Sequence, residues 1–153
     1  MSNVDSVAQN TAVNFGNYAI AAQSTVSLTS TGNAVISMPI LSGGLTAGNS
    51  VVTSGGVIVR RITVQNPSAN VAAGNIAIYT SNDGNTSNAV TTAVGTTLTN
   101  MTGTGTWQDL TIVAPFLANV VSGYNTQAFY VKVVTAVANA TVDIRVYGDT
   151  VNF

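Results

Sequence analysis

Acid–base or nucleophilic chemistry has few groups to draw on in this chain. Its nine charged side chains are Asp5, Arg60, Arg61, Asp83, Asp109, Lys132, Asp143, Arg145 and Asp149, and there is no His, Cys or Glu. Without His or Cys, Ser–His and Cys–His nucleophile pairs cannot be assembled, however many hydroxyls are present. A pair of carboxylates of the glycosidase kind would have to come from the five aspartates. Asp143 stands two residues from Arg145, Asp83 lies in a turn sequence and Asp5 is near the N-terminus, so no such pair is expected and the protein reads as a non-enzyme.

Binding chemistry is sparse too. The stretch "SNDGNTSN" (81–88) has the look of a calcium loop but offers one carboxylate, Asp83. Asp-Gly is a favoured pair at a hairpin tip, which is the expectation here. "SGGLTAG" and "TGTG" lack the Lys and the following helix of a phosphate loop and read as turns. No metal and no cofactor is expected. Trp107, on one strand face with Asp109 and Thr111, is a candidate for core packing, for an interface anchor or for a platform under a sugar ring. Arg60 shares a face with Ile58, Ile62 and Val64 in a regular strand, so it either enters an apolar layer or sits at a bulge. Asp109, or an acid on a neighbouring subunit, would be its partner.

The elements that must position these residues are strands. Runs rich in Val, Ile, Thr and aromatics, bounded by Gly, Asn, Ser or Pro, fall near 22–29, 33–40, 56–66, 74–81, 88–99, 106–113, 126–135 and 140–148. Eight such runs without a helical period predict an all-β, two-sheet β-sandwich of the jelly-roll kind. Residues 1–17 are polar and weakly patterned and read as an extended N-terminal arm. Residues 18–153 form one domain, with 41–56 as a long irregular connection.

In "NATVDIRVYGD" (139–149), Val142, Ile144 and Val146 alternate with Asp143, Arg145 and Tyr147. Folding this stretch back on "QAFYVKVVTAVAN" places Lys132 opposite Asp143 and Tyr130 opposite Arg145. In that arrangement the charges are a brace on the outside of a sheet.

From Ala73 onward, "AGNIAIYTSNDGNTSNAVTTAVGTTLTNMTGTGTWQDLTIV" and then "QAFYVKVVTAVANATVDIRVYGD" resemble head decoration, or cement, proteins of tailed bacteriophages. The shared pattern is a short strand, a Gly/Asn-rich hairpin, a "T.G.WQDLTI" strand and a closing segment ending in aromatic-Gly-Asp. The resemblance implies a β-rich, trimeric protein bound to the major capsid protein on the virion surface.

Composition agrees with that expectation by a separate route. Hydrophobic residues make up 46% of the 153 positions and charged ones only 6%, and the net charge of -1 leaves little repulsion between copies. That favours a homo-oligomer. It disfavours nucleic acid, whose phosphates need clustered Lys and Arg. No run approaches the length of a membrane span and no basic-then-apolar leader opens the sequence, so synthesis in a host cytoplasm without membrane attachment is expected. The alternative is a receptor- or glycan-binding sandwich module of a phage fibre or spike.

Overall fold

A computed structural model describes residues 19–32, 36–39, 55–113, 116–117 and 128–152; the expected arm and nearly all of the 41–56 connection lie outside them. Among the described residues nine strands are seen: β1 (Ala19–Ser27), β2 (Ile36–Pro39), β3 (Gly55–Gln65), β4 (Asn75–Tyr79), β5 (Thr96–Thr97), β6 (Trp107–Asp109), β7 (Phe116–Leu117), β8 (Ala128–Thr135) and β9 (Thr141–Asn152). The first sheet runs β1-β9-β3-β6, with β7 also on β3, and the second runs β2-β8-β4-β5. All pairings are antiparallel. Set β7 aside, and the first strand pairs with the eighth, the second with the seventh, the third with the sixth and the fourth with the fifth. That is one long hairpin rolled upon itself, the jelly-roll connectivity.

Period-two patterning builds the core. Val142, Ile144 and Val146 of β9 and Ile62 and Val64 of β3 point inward from the first sheet. Ile76 and Ile78 of β4 and Phe129, Val131 and Val133 of β8 meet them from the second, all buried. β4 is buried on both faces, because Ala77 and Tyr79 on its outer side are covered by the chain around Ala89 and Ala93.

Three expectations need correction. β8 and β9 are not a hairpin, and they lie in different sheets. The backbone of Leu28 clamps their connection from both sides, donating to the Ala140 carbonyl and accepting from Val137 N–H. β1 and β3 then take both edges of β9. The apolar faces of β8 and β9 still meet, but across the core, a contact that alternation cannot tell from cross-strand pairing.

The expected strand at 88–99 shrinks to β5, because a 3-10 turn at Thr86–Asn88 and Gly95 (φ 83) interrupt it. The buried Thr91 hydroxyl accepts the Ile78 N–H in place of a ladder bond. The expected strand at 106–113 is three residues long. After Asp109 the chain leaves for the other sheet, where Ile112 bridges to Thr91 and Val113 N–H donates to the Val90 carbonyl.

Candidate functional site

A bulge in β3 organises the outer face of the first sheet. Val59 pairs with Gly148 and Arg61 with Tyr147, leaving Arg60 as the extra residue. Val59 and Ile62 therefore both face inward, while Arg60 and Arg61 are both exposed on the outside. Strict alternation would have sent one arginine to each face. Gly148 is required at this step, since a Cβ there would stand 2.0 Å from the Ile58 carbonyl oxygen.

Each arginine finds its own aspartate. Arg60 Nε lies 3.0 Å from Asp149 Oδ2, whose side chain is only 12% exposed. Arg61 Nε lies 3.0 and 3.1 Å from the two carboxylate oxygens of Asp109, which also accepts the Thr63 hydroxyl at 2.7 Å. The expected Arg60–Asp109 pair is thus replaced by Arg60–Asp149 and Arg61–Asp109. The Arg61 guanidinium also lies over two aromatic rings, 5.5 Å from the centroid of Trp107 and 5.8 Å from that of Tyr147. Trp107 remains 57% exposed. The second aromatic ring and the acid beside Trp107 come from β9 and from its own strand.

Asp143 sits further along the same face and does a different job. Its carboxylate accepts the Asn66 amide at 2.9 Å and the Thr25 N–H at 2.9 Å. Both donors have left-handed backbones, φ 51 at Asn66 and 52 at Thr25. One carboxylate on β9 therefore holds the irregular end of β3 and the bulge of β1 together. The Asn66 amide first, then the Thr25 N–H, with Arg145 adding a smaller Coulombic pull, keep its carboxyl below the usual value. Arg145, the next outward residue on the strand, is exposed between Ala22 and Thr63.

The structure gathers Arg60, Trp107, Asp109, Asp143 and Arg145 on this face and leaves Tyr130 and Lys132 on the second sheet. Lys132 does not meet Asp143, and Tyr130 does not meet Arg145, because their strands belong to different sheets. Lys132 Nζ lies 5.9 Å from the ring centroid of Tyr79. Burial pushes the Tyr79 phenol above its usual value, and its hydroxyl donates to the Ala93 carbonyl at 2.9 Å. Sequence reasoning missed Arg61, Tyr147 and Asp149. The Arg60-Arg61 repeat amid apolar alternation was the readable sign of the bulge that recruits them.

At "SNDGNTSN" the chain reverses between Tyr79 and Ala89, with Gly84 at φ 63. Asp83 is occupied locally, by the Ser81 hydroxyl and Asn85 N–H, and the Ser81 contact leads in holding its carboxyl below the usual value. Among the described residues no three His, Cys, Asp or Glu side chains group as metal ligands. No family model matches the chain, and no curated protein or solved structure matches it either.

Proposed function

We propose that the protein is a non-enzymatic virion structural protein that decorates and stabilises a phage capsid through protein–protein contacts, with the major capsid protein as partner. The observation that carries protein binding is the meeting of Trp107, Arg61 and Tyr147 on one open sheet face. Trp, Arg and Tyr are the residue types that dominate binding hot spots. The ion pairs around them balance, so the face is close to neutral and repels neither an acidic nor a basic partner strongly. The virion setting rests on the resemblance of residues 73–149, and the charge-poor composition supports it.

Particles prepared without the protein test this directly. Added protein is expected to co-sediment with them in hundreds of copies, and Trp107→Ala to weaken that binding tenfold or more while leaving the melting temperature in place. Failure to bind, or only a handful of copies per particle, overturns the decoration reading.

A glycan-binding fibre module is the second reading. It is favoured by Tyr147, Asp109 and Trp107 gathering around Arg61, which together offer ring-stacking and hydroxyl-binding groups. Binding to a glycan array that is lost in Trp107→Ala would select it.

A further inference from the structure

The backbone of β6 is half used. Leu110 N–H donates to the Ile62 carbonyl, so Ile62 and Leu110 form a hydrogen-bonded pair. In an antiparallel ladder such pairs alternate, and the register Thr63↔Asp109, Val64↔Gln108, Gln65↔Trp107 is unbroken. Gln108 therefore bonds to β3, while the N–H and C=O groups of Trp107 and Asp109 point away from it. Among the described residues none of these four groups has a hydrogen-bond partner. β6 ends its sheet. The open groups lie beside an exposed Trp, and the one charge on the strand, Asp109, is paired with Arg61 and so does not hold a second strand off.

Resting on the reading of this surface as protein-binding, we infer that its first partner is a second copy of the chain, joined β6 to β6 about a two-fold axis through Gln108. The register is self-complementary. Trp107 faces Asp109 of the second copy and Asp109 faces its Trp107, so all four open groups on each copy are satisfied. Each Trp107 then lies on the outer face beside the other copy's Asp109–Arg61 ion pair, and each copy completes the other's aromatic–guanidinium cluster. Electrostatic complementarity of ring and cation supports a like partner, because each Trp107 meets a surface that carries the Arg61 guanidinium. Asp109 is already neutralised by Arg61, and the chain's net charge is -1. The product is a two-fold pair with a continuous sheet across it, in place of the trimer the resemblance implies.

Sedimentation velocity and disulfide trapping test the pairing in the full chain, which has no native cysteine. At tens of micromolar the wild type is expected to sediment as a dimer. Trp107→Pro is expected to shift it to monomer with β3 pairing intact, since the N–H removed points away from β3. Gln108 lies on the axis as a non-bonded pair with Cα atoms about 4.5 Å apart, so Gln108→Cys is expected to form a covalent dimer on mild oxidation. Thr111→Cys, three residues from the axis and so roughly 20 Å from its copy, is expected not to. Sedimentation of reduced Gln108→Cys as a dimer covers the chance that losing the Gln108 bonds to Thr97 and Asn100 disturbs the fold. A wild-type monomer, an oligomer that survives Trp107→Pro, or equal trapping of both cysteine variants overturns the pairing. A dimer that is lost in Trp107→Pro but never binds particles retains the pairing and removes the capsid reading.

Discussion

The two outer faces of the sandwich are finished in opposite ways. On the second sheet the chain covers itself: residues near Ala89 and Ala93 lie over Ala77 and Tyr79, and Tyr79 is buried to 1% although it points away from the main core. On the first sheet no segment among the described residues covers the centre, where Arg60, Arg61, Arg145, Asp109, Asp143 and Asp149 stand instead. Six of the nine charges in the chain are thus spent on one face. The difference teaches where stability and availability separate. A face closed by apolar burial contributes to folding, whereas an exposed ion pair such as Arg61–Asp109 contributes little to folding and leaves its surface open to a partner.

Breaking the closed face should have the largest effect. Tyr79→Ala removes a buried ring and the Ala93 bond, and is expected to cost about 3–5 kcal/mol in urea unfolding, the range of large aromatic truncations. Asp143→Ala comes next, because two hydrogen bonds to a charged acceptor are lost at once; about 1.5–3 kcal/mol is expected. The sign with pH follows from the depressed pKa of Asp143. Its contribution is in place above the ordinary Asp value of about 4 and is lost as pH falls through the lower folded value. The stability difference between wild type and Asp143→Ala should therefore narrow on acidification from pH 5 towards pH 2.

Away from Asp143, the open face should respond weakly. Arg61→Ala breaks an ion pair whose partners are 50% and 43% exposed, and is expected to cost under about 1 kcal/mol, less in high salt. A loss equal to that of Tyr79→Ala would erase the contrast between the faces. Smallest of all, addition of a chelator is expected to leave the melting temperature unchanged, as Asp83 is engaged by its own turn. A drop of several degrees would make "SNDGNTSN" an ion site.

Much of the sandwich was readable because alternation reports burial directly. Val142, Ile144 and Val146 face inward as their spacing requires, and the eight expected runs each contain a strand. Strand partnership was not readable. β8 and β9 carry the same alternation whether they pair edge to edge or face each other across a core, and the Leu28 clamp that decides between them is a backbone contact with no side-chain signature. The site was half legible for a related reason. Trp107, Asp109 and Arg60 stand out by residue type, but strict alternation separates Arg60 from Arg61, and only the one-residue bulge brings both to one face. Alternation sets Asp143 against Lys132, whereas its carboxylate bonds to Thr25 and Asn66. Its partners Thr25 and Asn66 are irregular positions that no period marks.

The pairing of β1 with β9 has a consequence for how the protein is made. Thr25 and Asp143, joined by a hydrogen bond, are 118 residues apart in sequence. The first sheet cannot close on a ribosome until its last long strand has emerged, and folds dominated by such distant contacts form slowly, in milliseconds to seconds. A prematurely terminated chain would lack β9 and leave β1 and β3 with facing edges unfilled. β9 thus joins segments from both ends of the described chain, and the outer face of the first sheet is assembled only once it has paired with β1 and β3.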